Sequence, residues 1–481
     1  MLPIALTACS TPPPPTTGAG GQAGGSVVEA AALIDLHGGM VHDVEPFDED
    51  GDGATDLLLT IQAGEVLARG PDGRIEWRMT AESLPPAGRP VELLAEGASL
   101  ILLLDRQAVQ QYRIERDRPP VLVRTWDRDE LGLIPTRLAS LAGEQYVLGV
   151  GGVTRLATGE RSLEIPGEAV SLVITNFGPT ATAGRRAYQL STGRFVGSAS
   201  VLAPINLATS PAAFVYARNS EQGSTVGLMD GGLRELDAFA GSRSLDQPVL
   251  DVRVIGDRAW IMLPTAIEAY RIDRDRLRSV RTLQLPGPRG LARINPSTIR
   301  IVGAFGEIDV DAELVQVDAV GLDPPLGAVS AWRNDGRAVV VRGALANFIY
   351  EPPAPPQPVS RPSGQTLTAE PPRAAAVVGA TASIDPEASE LLIAFDGAAD
   401  ADSEAVDLPG DAAILTVAAV KGRFWIGTDR GLVILSRPID GDVDVDERIA
   451  IPGGVKAILP LYGDRGVVII TIDGAVGHLG G

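Results

Sequence analysis

The chain has 481 residues, of which 45% are apolar and 21% charged, and its formal net charge is −20. That apolar share supplies a large core and excludes wholesale disorder. The acidity, with Lys421 and Lys456 the only lysines, excludes a phosphate backbone as partner; a single cysteine, Cys9, excludes internal disulfides.

At the start of the chain, Leu6-Thr7-Ala8-Cys9 resembles the bacterial lipobox, in which a hydrophobic residue and two small ones precede a cysteine that becomes acylated. The resemblance implies an exported bacterial protein, lipid-anchored at the outer membrane or cell surface or else secreted, whose one membrane contact would be a lipid anchor at Cys9. No basic segment or long apolar core precedes Cys9, so the true start is expected upstream. Residues 10–25, rich in Pro, Thr and Gly, are too poor in apolar side chains to pack and read as a tether. No later run reaches the roughly 18 apolar residues of a spanning helix.

From residue 26 to 481 the sequence is a procession of short apolar strands divided by Gly, Pro and Asp turns. Val27 to Leu36 reads as the first. The next carries the densest chemistry of the chain. Asp48, Asp50, Asp52 and Asp56 fall at positions 1, 3, 5 and 9 of a tight loop, with Gly53 at position 6. This spacing wraps hard oxygen ligands around one Ca²⁺, and the carbonyl of Ala54 at position 7 completes the set. Leu59 stands where an EF-hand needs a bidentate Glu, and the flanks are strand-like, so the loop is no EF-hand. It resembles the calcium loop of FG-GAP/VCBS-type β-propeller repeats, where D-x-D-x-D-G-x-x-D runs into an apolar strand such as Asp56 to Ile61. Val66 to Trp77 then reads as an outer hairpin turning at Asp72-Gly73.

Further along, the most apolar strands recur at intervals of about 40 residues: Leu100 to Leu104, Gln145 to Val150, Ala213 to Ala217, Ala259 to Leu263, Ile299 to Val302, Ala338 to Val341, Leu391 to Phe395, Phe424 to Ile426 and Val467 to Thr471. Each is expected to be the second strand of a four-stranded set, followed by a more polar hairpin such as Ala266 to Asp273 with Arg278 to Leu285. Four strands per ~40 residues predicts an all-β propeller. Ten to eleven such sets exceed one ordinary ring, which leaves one expanded ring or two smaller ones. The Pro-rich stretch 351–372 is either a boundary or a long loop. The three sets after it cannot close a ring unaided, so the C-terminal strands are expected to share a blade with Val27 to Leu36.

His37, His42 and His478 lack zinc-ligand spacing and read as blade-edge residues. Asp396, Asp400, Asp402 and Glu404 lack the turning Gly of a second calcium loop. Asp442, Asp444 and Asp446 alternate along one strand face and read as solvated. No nucleophile elbow, metalloprotease helix or phosphate loop is present. The expected function is therefore binding or scaffolding, by a calcium-stabilised propeller on the cell envelope, toward a protein or a polysaccharide. Two alternatives stand beside it: a propeller-class hydrolase or lyase with its site at the central channel, and a structural part of an envelope assembly. Binding and catalysis separate on whether polar residues converge at the channel.

Overall fold

The computed structural model describes residues 36–480, except 49–53, 71–72, 80–87, 106, 116–117, 160, 208–209, 237–241, 296, 312–325, 360–365, 386–389, 396–402, 407, 409–411, 437–444, 452 and 464. Among the described residues, apart from one short helix, Arg128–Leu131, the regular structure is antiparallel sheet. Short apolar runs, each ended by a Gly or Asp turn, leave the chain only the option of meandering beside itself. It does so again and again, which makes this a β-propeller.

The sheets follow one another along the chain: sheet 1 (41–79), sheet 2 (90–126), sheet 3 (134–164), sheet 4 (169–197), sheet 5 (201–245), sheet 6 (251–284), sheet 7 (288–311), sheet 8 (331–359), sheet 9 (374–406), sheet 10 (414–450) and sheet 11 (457–479). Sheets 3 and 4 are fused, because the strand Arg161–Thr175 ends one and begins the other. Sheet 7 has three strands among the described residues.

Seven of these sheets close a circuit. Apolar clusters fill the seams from sheet 1 to 2, 2 to 3, 3 to 4, 4 to 5, 5 to 6 and 6 to 7. The circuit returns through Val41, Val44 and Leu58 of sheet 1 against Ala292 and Val302 of sheet 7. This closing seam is the smallest, and a buried-edge ion pair, Arg69 to Glu307, reinforces it. Sheets 9, 10, 11 and 8 pack in that order beside the ring.

The two groups are tied at the backbone. Gly39 donates to the carbonyl of Gly327 (2.7 Å), Met40 to Asp473 (2.8 Å) and Ala328 to Ala304 (2.7 Å), and next to Ala328 the bond from Val329 to Gly474 (2.9 Å) locks sheet 8 to sheet 11. Glycine is required here: Gly474 has φ +78°, and a Cβ on it would lie 2.5 Å from the amide nitrogen of Val329.

Several sequence expectations need correction. Sheet 11 gains its fourth strand from His37–Gly38, which pairs with Val476 and Ala475. The expected strand Val27 to Leu36 lies outside the described residues except for Leu36, which packs on the core between sheets 10 and 11. Leu391–Phe395 is the third strand of sheet 9, behind Ala380–Ile384, whose Ala, Ser and Thr hid it. The outer hairpin of sheet 1 closes over a longer loop than two residues, with Gly70 donating to the carbonyl of Arg74. Within the Pro-rich stretch, Gln357–Val359 is the outer strand of sheet 8.

The junction supplies a prediction. Gly73 has φ +81° with nothing within 4 Å of its absent Cβ, so Gly73→Ala carries only the left-handed backbone cost of about 1–2 kcal/mol. Gly474→Ala adds a backbone clash, and its thermal midpoint is expected to fall several degrees below that of Gly73→Ala. Equal midpoints would show that the junction yields freely.

Candidate functional site at the ring centre

The innermost strand of a propeller blade has one edge with no strand beside it, so its outward N–H groups need other acceptors. Here the first strands of sheets 1, 2, 3, 4 and 7 carry a repeated bulge. The ladder register shifts between Val41 and Asp43, Pro90 and Glu92, Pro135 and Arg137, Ala169 and Ser171, and Pro288 and Gly290. A bulge re-aims the next side chain. Asp43 Oδ2 thereby accepts from Leu93 N of sheet 2 (3.0 Å), Glu92 Oε1 from Leu138 N of sheet 3 (3.1 Å), and Ser171 Oγ from Leu202 N of sheet 5 (3.1 Å). At sheet 7 the same position is Gly290, where a Cβ would lie 2.9 Å from Asp43 Oδ1. The carboxylate fills the space that a side chain there would take.

Charges from four sheets meet in this ring. Arg253 of sheet 6 reaches Glu45 of sheet 1 (3.6 Å) and Asp251 of its own strand (3.1 Å). Arg137 of sheet 3 crosses to Asp251 (3.5 Å) and donates to the carbonyl of Leu250 (2.9 Å). Asp43 is 5% exposed, whereas Arg253 keeps 41% of its side-chain surface open to the centre. The site is deep and yet reached by water.

Burial raises the carboxyls of Asp43 and Glu45 above the ordinary range, although Arg253 pulls both down. Burial and then the Asp43 charge push Glu92 up to about 8. Asp251, Glu45 and Asp43 hold Arg253 charged. Burial and mutual repulsion thus favour the protonated forms of Asp43, Glu45 and Glu92.

The residues expected from sequence are placed as follows. Asp48 and Asp56 are half-buried at the two ends of the acidic loop, which the bond from Asp56 N to Phe47 O (2.9 Å) draws together. Ala54 is exposed, and Asp50, Asp52 and Gly53 lie outside the described residues, as do Cys9, Asp396, Asp400, Asp402, Asp442, Asp444 and the side chain of Glu404. Asp446 pairs with Arg423 (2.6 Å). The three histidines go to different partners: His42 to Asp473 (3.1 Å), His37 edge-on to Tyr350, and His478 to the carbonyl of Arg465. Among the described residues no group of three or more His, Cys, Asp or Glu is placed to hold a metal. The central charges were missed in the sequence. Their only signal is an acid or Arg interrupting an apolar strand start, as in His42-Asp43-Val44-Glu45 and Asp251-Val252-Arg253.

No family model and no curated protein matches this chain. Solved structures are similar at low identity. The computationally designed Ika8 protein gives a TM-score of 0.42 at 13% identity over 66% of this chain and 98% of that one. A chain of the Mitotic Checkpoint Complex gives 0.44 at 8% identity over 64% and 98%. The Neurospora crassa Pan2 WD40 domain gives 0.37 at 12% identity over 55% and 86%. The propeller assignment rests on this chain's own sheets and seams.

The raised carboxyls set a pH dependence. A group whose folded pKa exceeds its unfolded value holds extra protons in the folded state, so stability falls as pH rises through the folded pKa. Between about pH 5 and pH 8 the parent is expected to lose stability as pH rises, and Glu92→Gln to flatten that slope. Midpoints measured across this range check it; identical slopes would contradict the assignment.

Proposed function

We propose that this protein is a binding or scaffold module of the bacterial cell envelope, with a protein or polysaccharide partner. The observation that supports this best is at the ring centre. The polar residues that converge there already satisfy one another and the N–H groups of neighbouring sheets, as Asp43 and Glu92 do for Leu93 and Leu138. A general acid or base must exchange its proton with a substrate, whereas these carboxylates hold the ring together. Convergence of polar groups also belongs to the hydrolase or lyase reading, and it is the one feature that favours it. The binding role would then fall to the loops and outer faces.

Two further elements belong to the proposal. The loop from Asp48 to Asp56 would bind one structural Ca²⁺ through Asp48, Asp50, Asp52, Asp56 and the Ala54 carbonyl, in the manner of FG-GAP/VCBS-type repeats. The bond between Asp56 N and Phe47 O brings the first and ninth positions to one place, which fits such a loop. Metal binding would tie off the turn between the first two strands of sheet 1 and couple to folding. Acylation of Cys9 would supply the attachment, with residues 10–25 as spacer.

Calcium at about 100 times its dissociation constant is expected to add about 2.7 kcal/mol, read as a higher thermal midpoint. Asp50→Ala and Asp52→Ala are expected to abolish the rise. A parent midpoint indifferent to calcium and chelator would remove the metal from the proposal.

For the anchor, the chain expressed with its own leader in a bacterial host is expected to incorporate labelled fatty acid and to enter the detergent phase. Cys9→Ser is expected to do neither. Equal labelling of the variant would rule out Cys9 as the acylated residue.

A further inference from the structure

Beside the ring, the first turns of sheets 8 and 11 meet around Tyr462. The chain is poor in aromatics, at 4%, and most are buried. Tyr462 is 70% exposed, the most exposed aromatic among the described residues. It is nevertheless fixed. Its N–H donates to the carbonyl of Gly336 (2.7 Å), and its ring lies so close over Gly336 that a Cβ there would be 2.2 Å from it. Gly336, at φ +74°, is held in turn by Asn334 Oδ1 (2.8 Å), and Asn334 Nδ2 reaches Pro460 O (2.7 Å). Arg465 staples both turns from the other side, through the carbonyls of Gly336 and Arg337 (3.1 Å each).

The result is a largely exposed ring that rests against the Gly336 backbone on a turn whose own backbone is held in place. An aromatic presented from a backbone held in this way binds with less ordering cost than one on a loose loop. Its surroundings narrow the partner. A protein hot spot sits in a desolvated apolar pocket, but Asn334, Asp335, Arg337 and Arg465 around this ring are all exposed and polar. A pyranose matches the site: its C–H face stacks on the negative face of one aromatic ring, and its hydroxyls meet guanidinium and amide groups at the rim.

We propose that Tyr462 is a stacking platform for one pyranose ring of a polysaccharide, with Asn334, Arg337 and Arg465 at its rim. This rests on the binding-module reading and selects the polysaccharide branch of it.

The test is affinity electrophoresis of the full chain through gels carrying dextran, xylan, alginate or hyaluronate, alongside three variants. At least one polysaccharide is expected to retard the parent. Tyr462→Ala is expected to weaken that retardation roughly tenfold, the scale of one lost aromatic contact. Tyr462→Trp should keep it, and Gly336→Ala, which displaces the ring, should weaken it with Tyr462 intact. The thermal midpoint of Tyr462→Ala is expected to match the parent, since the side chain is mostly in solvent. Retardation of Tyr462→Ala equal to the parent would overturn the platform and leave the binding-module reading standing. Retardation by none of the four, or capture of a protein at this ring instead, would overturn the polysaccharide assignment.

Discussion

The unpaired inner edge of each first strand is the constraint on which the ring depends. Buried N–H groups on that edge would each cost free energy comparable to a lost hydrogen bond. A bulge turns the following side chain toward the next sheet, and Asp43, Glu92 and Ser171 each cap a neighbour's amide. One local device thus does two things, since it satisfies an edge and fixes the spacing between consecutive sheets. Apolar seams alone would allow the sheets to slide; a directed bond from carboxylate to amide does not.

The same device accounts for the charge at the centre. An acid suits an edge amide because its carboxyl oxygens accept a hydrogen bond in either protonation state, most strongly when charged. Several acids in one ring repel, and sheets 3 and 6 answer with Arg137 and Arg253. Replacing such a network with apolar residues often leaves stability unchanged, so its value here is register. Gly290 shows how tightly the geometry is drawn, for its missing side chain is what gives Asp43 room.

Much of this fold was legible because a propeller is built from local rules. Ser99–Leu104, Arg258–Leu263 and Val467–Ile470 announce themselves as apolar runs after a turn. Sheet 4 did not, since its second strand, Gly178–Ala183, reads Gly-Pro-Thr-Ala-Thr-Ala and buries threonines that bond to Thr175 and to the backbone of Ser200. The fused strand Arg161–Thr175 hid a blade boundary inside one element. The central charges were illegible for a different reason. Asp43 and Arg253 lie more than two hundred positions apart, and only ring closure through Val41, Val44, Ala292 and Val302 brings them together. Periodicity within a strand carries no information about that meeting.

Sheet 11 has a consequence for how the chain reaches this state. His37–Gly38 must wait for Ala475 and Val476 before it can pair, so one of the earliest segments made is among the last to settle. The seams of sheets 1 to 7 are built, among the described residues, almost wholly from positions 41–311, with Ala344 added at the seam between sheets 6 and 7, so most of the ring can assemble while synthesis continues, as N-terminal units generally do. Sheets 9 and 10 can follow on the same local terms. The clasp between 37–38 and 475–476 has the largest sequence separation of the strand pairings among the described residues, and contacts of that kind form late and slowly. Assembly therefore ends at the clasp, and an escorting chaperone would be most needed in the interval when the ring is complete and the clasp is still open.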